Sequence, residues 1–166
     1  MTRVVVADAG PLIALAKIKR ITLLQQLYNN IVIPPAVYSE LQIDSGRPGA
    51  NGLKQAINDG WLSDEQINEP SLKLVEELKL LLDEGEAQAI VLAEKIKPRF
   101  LLIDERRGRD IAKRRGIRIT GTGAILVVAK RQGLIESVSD EIKALIGNGY
   151  RMSEKLQDKL KVLADE

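Results

Sequence analysis

Asp8 follows the apolar run Val4-Val5-Val6-Ala7, and Asp104 follows Phe100-Leu101-Leu102-Ile103. An Asp placed directly after a buried strand lies at that strand's carboxyl end, where open α/β sheets build their sites. Glu40 and Glu86 fall within two predicted helices. The chain contains no histidine and no cysteine, which excludes imidazole and thiolate chemistry. Carboxylates gathered without those partners suit a hard, oxygen-seeking cation such as Mg²⁺ or Mn²⁺. Such a cation polarises a phosphoryl oxygen and makes water a better nucleophile. Metal-assisted phosphodiester hydrolysis is the chemistry that Asp8, Glu40, Glu86 and Asp104 point to. Simpler roles compete, because most of the 23 acidic residues must be surface charges, and a post-strand Asp can simply cap the next helix.

A basic run lies just beyond Asp104: Arg106, Arg107, Arg109, Lys113, Arg114, Arg115 and Arg118, opposed only by Asp110. Arginine offers planar, bidentate contacts to phosphate, and such contacts give salt-dependent, sequence-blind affinity. Arg106, Arg107 and Arg109, nearest the carboxyl edge, are the candidate nucleic-acid contacts. Arg114 and Arg115 suit a helix C-terminus, and a solvated helix face is the plain alternative for the whole run. Gly121-Thr122-Gly123 stands at a strand-to-helix junction but lacks the lysine and spacing of a phosphate-binding loop. A tight turn with Thr122 capping the helix is expected there.

Short strands are expected at residues 3–7, 31–33, 100–103 and 118–120, with a brief extended segment at Trp61-Leu62. Helices are expected between them: Leu12 to Ile18 opened by Pro11, Thr22 to Tyr28, Pro35 to Gln42, Leu53 to Asn58, Ser71 to Leu82, Glu86 to Lys97, Arg106 to Arg115 and Ala124 to Arg131. Asp83-Glu84-Gly85 reads as a break between two helices. Two amphipathic helices, near 136–146 and 153–164, close the chain. Strands alternating with helices call for a central, mostly parallel sheet of about five short strands in a three-layer α/β fold. The length of 166 residues fits a single domain, and no convincing boundary interrupts it.

Composition narrows the function classes. Only 3% of residues are aromatic, so aliphatic side chains must build the core and a base-stacking platform is disfavoured. The net charge of +2 says little by itself about partners. The first residues form neither a signal peptide nor a membrane span; a cytoplasmic location without membrane contact is expected.

The segment VVVADAGPLIALAKIKRITLLQQLYNNIVIPPAVYSEL, residues 4–41, resembles the opening of PIN-domain proteins. It is most similar to the predicted nucleic-acid-binding subfamily related to VapC-type toxins. The run DEGEAQAIVLAEKIKPRFLLIDERRGRDIAKRRGIRITGTGAILVVAKRQGLI, residues 83–135, resembles the second half of that subfamily. The resemblance implies a PIN fold with an acidic pocket at the carboxyl edge of its sheet. It also implies Mg²⁺- or Mn²⁺-dependent endoribonuclease activity on an RNA substrate, an antitoxin partner in a toxin–antitoxin pair, and a homodimer. The family's four acids map onto Asp8, onto Glu40 in Tyr38-Ser39-Glu40-Leu41, onto Glu86 in Gly85-Glu86-Ala87, and onto Asp104 in Leu102-Ile103-Asp104-Glu105. Glu84 competes with Glu86, and Glu105 with Asp104.

The chain also departs from the family pattern. Ala9-Gly10 stands where many PIN nucleases carry Thr or Ser, and Glu105-Arg106-Arg107-Gly108-Arg109 replaces the usual acid-plus-aromatic pattern. An alternative is therefore a catalytically weak or inactive PIN shell that binds nucleic acid or an antitoxin. A dinucleotide-binding α/β domain is disfavoured, because no glycine-rich turn follows the first strand. Leu12, Leu15, Leu23, Leu24 and Leu27 form apolar faces available either to a homodimer or to the core. Leu156, Leu160 and Leu163 make a similar stripe that packs on the body or docks a partner.

Overall fold

The structure is a computed structural model and describes residues 3–166. Among these, five strands form one sheet: β1 (Val5–Ala7), β2 (Ile31–Ile33), β3 (Leu62–Asp64), β4 (Leu101–Leu102) and β5 (Ile119–Thr120). Their order is β3-β2-β1-β4-β5, and every pairing is parallel. The helices are α1 (Ala9–Lys17), α2 (Thr22–Tyr28), α3 (Pro35–Leu41), α4 (Ala50–Asn58), α5 (Glu69–Leu78), α6 (Glu84–Ile96), α7 (Arg106–Arg114), α8 (Thr122–Arg131), α9 (Val138–Gly147) and α10 (Glu154–Leu163). This is the expected α/β fold.

The strands are built from β-branched and aliphatic residues because both sheet faces are covered. Val5, Val6 and Ala7 are fully buried, and successive side chains alternate faces. Val5, Ala7 and Leu102 join the core formed with α1, α2 and α8. Val6, Leu101 and Ile103 join the opposite core with α5, α6 and α7. The sheet is thus the middle of three layers. From β1 the chain moves outward through β2 and β3, then returns through α5 and α6 to place β4 on the other side of β1. The direction of winding reverses between β1 and β4, and Asp8 and Asp104 both emerge there, at the switch point where such sheets open a cleft.

Several boundaries differ from the sequence pattern. Helix α1 starts at Ala9, two residues before Pro11; proline is tolerated because first-turn N–H groups have no partner within the helix. Helix α5 stops at Leu78, and Leu80 and Leu81 are exposed. Asp83-Glu84-Gly85 does not break a helix but begins one. Asp83 is the N-cap of α6 and accepts the Glu86 N–H at 2.8 Å, while Glu84 places negative charge in the first turn, as the helix dipole favours. Gly121, not Thr122, occupies the cap position of α8.

Leu12, Leu15, Leu23 and Leu24 are buried, with Leu27 packed against the same core. These faces are consumed inside the protein, each such side chain contributing about 1.5–3 kcal/mol, and are not open to a second copy. Helices α9 and α10 pack with α8. The Glu166 carboxylate accepts N–H bonds from Val138 at 2.7 Å and Ser139 at 3.0 Å and takes Lys130 Nζ at 2.9 Å, satisfying the start of α9 from a distant part of the chain. Among the described residues, no helix is long and apolar enough to cross a membrane.

Candidate active site

Asp8 ends β1 and stands at the N-cap of α1, yet its side chain makes no cap bond. Capping is therefore not its role, and its carboxylate lines a cleft of about 710 Å³ at the carboxyl edge of the sheet. Glu40, Glu86 and Asp104 line the same cleft, so the tertiary fold brings together all four acids picked out in the sequence. Glu40 comes from α3, which is fastened to α6 by the Ala36 N–H donating to Gln88 Oε1 at 2.9 Å. Its carboxylate lies directly over Gly85, where a Cβ would displace it. Glu86 points inward from the first turn of α6; a Cβ on Gly108 of α7 would lie 3.5 Å from its Oε2. The absence of a side chain at Gly85 lets the Glu40 carboxylate fit, while at Gly108 it is Ile103, 2.7 Å from such a Cβ, that needs the space.

Asp104 is held more tightly. The Thr122 N–H donates to its Oδ1 at 2.8 Å, and the Thr122 hydroxyl donates to its Oδ2 at 2.7 Å. Thr122 is fully buried, and it orients Asp104 instead of capping its own helix. Tyr150 brings its hydroxyl to the same pair; burial first, then the charge of Asp104, holds that phenol above its usual range.

The competing acids separate by position. Glu84 is exposed, lies outside the cleft and sits 4.0 Å from Lys79. Glu105 lines the cleft but also caps α7, accepting the Arg107 N–H at 3.3 Å. Of the three arginines, only Arg109 lines the cleft, with its Nη1 donating to Ile103 O at 2.9 Å. Arg106 and Arg107 are exposed outside it, and Arg107 Nη1 donates to Leu81 O at 3.3 Å.

The electrostatics are those of crowded acids. Burial pushes the Asp8 carboxyl up from 3.8 to about 7; the Ala9 N–H opposes this, and the charges of Asp83, Glu40 and Asp104 add to it. Burial likewise lifts Glu86 from 4.5 to about 8, helped by Asp83, Asp8 and Glu105. Glu40 is also raised, by loss of water and by Asp83 and Glu84, although its outer surface remains exposed. The side chains are only 7% exposed for Asp8 and 8% for Glu86, and neither has a cationic neighbour among the causes of its shift. A divalent cation is the natural compensation, and the all-oxygen donor set fits one of the hard kind. Among the described residues, no three acids converge tightly enough to cage an ion as they stand; they ring the cleft, as mutually repelling carboxylates do.

Parts of the site escaped the sequence reading. Asp83 lines the cleft; its signal was the Asp-x-x-Glu spacing of Asp83 and Glu86, a capping-box pattern. Tyr150, Arg151 and Lys159 also line it, and no local pattern marks them, while Leu156, Leu160 and Leu163 bring the apolar stripe of α10 to it. They reach it because α10 folds back against α8, where Leu160 lies so close to Gly123 that a Cβ there would come within 2.5 Å of its Cδ1.

No curated protein matches the chain. A family model described as a PIN domain matches residues 4–166, nearly the whole length. PIN domains are in general nucleases that use divalent metal ions. With an acidic cleft at the switch point of a parallel sheet and a match of that extent, the chain belongs to the PIN-domain family.

Proposed function

We propose that this protein is a Mg²⁺- or Mn²⁺-dependent endoribonuclease that hydrolyses phosphodiester bonds in its acidic cleft. The observation that carries this reading is the convergence of Asp8, Glu40, Glu86 and Asp104 on one cleft, with Asp8 and Glu86 buried. These four carboxylates would hold one or two divalent cations, which supply Lewis-acid polarisation of the phosphate and activation of water. Thr122 fixes Asp104 through both carboxylate oxygens. Arg109, anchored on the Ile103 carbonyl, presents its remaining N–H groups to a phosphate at the cleft wall. A carboxylate of the ring that the metal leaves free would accept the proton of the attacking water.

A second reading has one observation in its favour. Ala9 and Gly10 carry no hydroxyl beside Asp8, and Gly10 lines the cleft. A PIN shell that binds nucleic acid or an antitoxin with little turnover is consistent with that. The link to VapC-type toxins, an antitoxin partner, a homodimer and a cytoplasmic location rest on the resemblance and on the sequence, and the leucine faces of α1 and α2 lend no support to a dimer.

The experiment is cleavage of a mixed structured and single-stranded RNA pool with Mg²⁺ or Mn²⁺, with EDTA and an Asp8→Asn/Asp104→Asn variant as controls. Cutting that requires metal and vanishes in the variant is the expected result. A folded, metal-supplied protein that does not cut favours the binding module, and cutting that survives in the variant rules out this site.

A further inference from the structure

At the opposite end of the strands lies a second cleft, of about 480 Å³. It is lined where three neighbouring strands begin: by Arg3 ahead of β1, by Lys97 and Arg99 ahead of β4, and by Arg115 and Arg118 ahead of β5. The backbone ties these entries together, with the Arg99 N–H donating to Val4 O and the Leu101 N–H donating to Arg118 O, each at 2.8 Å. Among the described residues, five cations therefore face a single lining carboxylate, Glu94. That carboxylate is already engaged: Arg115 donates to its Oε1 from Nε at 2.7 Å and approaches it with Nη2 at 2.6 Å. The Arg99 guanidinium lies 5.1 Å from the centre of the Tyr28 ring, which limits its freedom.

Lys97 lines the cleft as the C-cap of α6, in the left-handed conformation (φ 55°) with which helices commonly end, and its N–H donates to Ala93 O.

Helix α7 connects the two clefts. It starts beside Asp104 and ends at Arg115 after about 13 Å of helix, and Arg106, Arg107, Lys113 and Arg114 along it are exposed. Without metal, six acidic side chains (Asp8, Glu40, Asp83, Glu86, Asp104 and Glu105) outnumber Arg109, Arg151 and Lys159 among the described residues of the acidic cleft, so further affinity for a phosphate chain has to come from elsewhere on the surface.

We propose that the amino-edge cleft is a phosphodiester-binding site that anchors a single strand of RNA, whose remaining length follows α7 to the acidic cleft. The choice of RNA as ligand rests on the nuclease reading; the anion chemistry does not. Four of the five cations are arginines, whose planar forks match phosphate oxygens. Binding through phosphate contacts is sequence-blind and governed by salt.

The test is fluorescence anisotropy in EDTA with a labelled mixed-sequence single-stranded RNA about twenty nucleotides long, across a salt series. The variant is Lys97→Gly/Arg118→Glu; the control, Lys73→Glu/Lys143→Gln, changes net charge equally on exposed sites outside both clefts. The cleft variant is expected to bind about tenfold more weakly than the parent, with the slope of log K against log salt reduced by about 1.4 for two lost phosphate contacts. The control should stay within about twofold of the parent. Lys97→Gly alone relieves backbone strain, so it should melt no lower than the parent while still weakening binding. A loss no greater than the control's overturns the proposal, as does displacement of the RNA by polyglutamate of equal length at lower concentration. Parallel cleavage assays separate the two ideas. Weakened binding in the cleft variant without metal-dependent cutting by the parent supports the anchor and refutes the nuclease reading. Cutting by a protein whose affinity ignores Lys97 and Arg118 refutes the anchor alone.

Discussion

Replacing Asp8 with Asn should stabilise the metal-free protein at neutral and alkaline pH. Asp8 is 7% exposed, and its carboxyl is pushed from 3.8 to about 7, chiefly by burial. The folded state therefore holds a proton that the unfolded chain has already released over the window from about pH 4 to about pH 7. Stability is fully present below that window and falls as pH rises through it, because the native state binds more protons there. At about 1.4 kcal/mol per pH unit, the ionised carboxylate costs up to about 4 kcal/mol above pH 7. Water penetration and local relaxation lower the real cost, and about half, roughly 2 kcal/mol, is the working expectation. Asn keeps a carbonyl oxygen for the Ala9 N–H and carries no charge to desolvate. For a chain of this size each kcal/mol moves the melting temperature by about 2–4 °C, so the variant should melt about 4–8 °C above the parent near pH 8. The gap should close toward pH 4, where both side chains are neutral. Thermal melts followed by circular dichroism in EDTA measure it. Added Mg²⁺ or Mn²⁺ should raise the parent's melting temperature and leave the variant's almost unchanged, since only the parent gains by mass action. A variant that melts at or below the parent at pH 8 in EDTA, or a gap that does not change with pH, would refute the account of an uncompensated buried carboxylate.

Thr122→Val should lower stability by about 1–2 kcal/mol by removing the 2.7 Å hydroxyl bond to Asp104, and weaken metal affinity by about tenfold or more; denaturant melts and metal titration by calorimetry read the two effects. Gly85→Ala should raise helix stability by about 0.5–1 kcal/mol while pushing the Glu40 carboxylate out of its place over Gly85, so a protein that melts higher but loses metal-dependent cleavage is expected; undiminished cleavage would remove Glu40 from the site. Glu166→Ala should lower the melting temperature at neutral pH by stripping the start of α9 of its acceptor. The parent carboxyl is held well below 4.5, first by the bond from Lys130. Its contribution is present above that pH and is lost on acidification, so the gap between parent and variant should shrink as pH falls below about 4.5.

Much of this protein could be read locally. Three consecutive valines ahead of Asp8 and the run ending at Ile103 ahead of Asp104 mark strands buried on both faces, because only such strands need apolar residues at every position. Their acids then fall at carboxyl ends by covalent connection alone. Glu86 was legible from its place in a short motif, and Asp83 would have been from its capping spacing. Where local reading failed, the competing interactions were tertiary. Thr122 had the chemistry of a cap, but its hydroxyl and N–H both find Asp104, at the end of the neighbouring strand. Leu12, Leu15, Leu23 and Leu24 suited an interface as well as a core until α1 and α2 were seen beneath α8.

By itself, then, the sequence determined the alternation of strands and helices, the absence of imidazole and thiolate, and the acids that follow β1 and β4. Those properties depend on neighbours along the chain. Tertiary structure alone decided that Glu40 would lie over Gly85, that Glu84 would face Lys79 outside the cleft, and that α10 would supply its far wall. It also placed Arg3, Lys97, Arg99, Arg115 and Arg118 around one cleft. The physical reason is that burial and electrostatic coupling depend on distance in space: residues more than a hundred positions apart share one low-dielectric environment, and no period or spacing in the sequence records that.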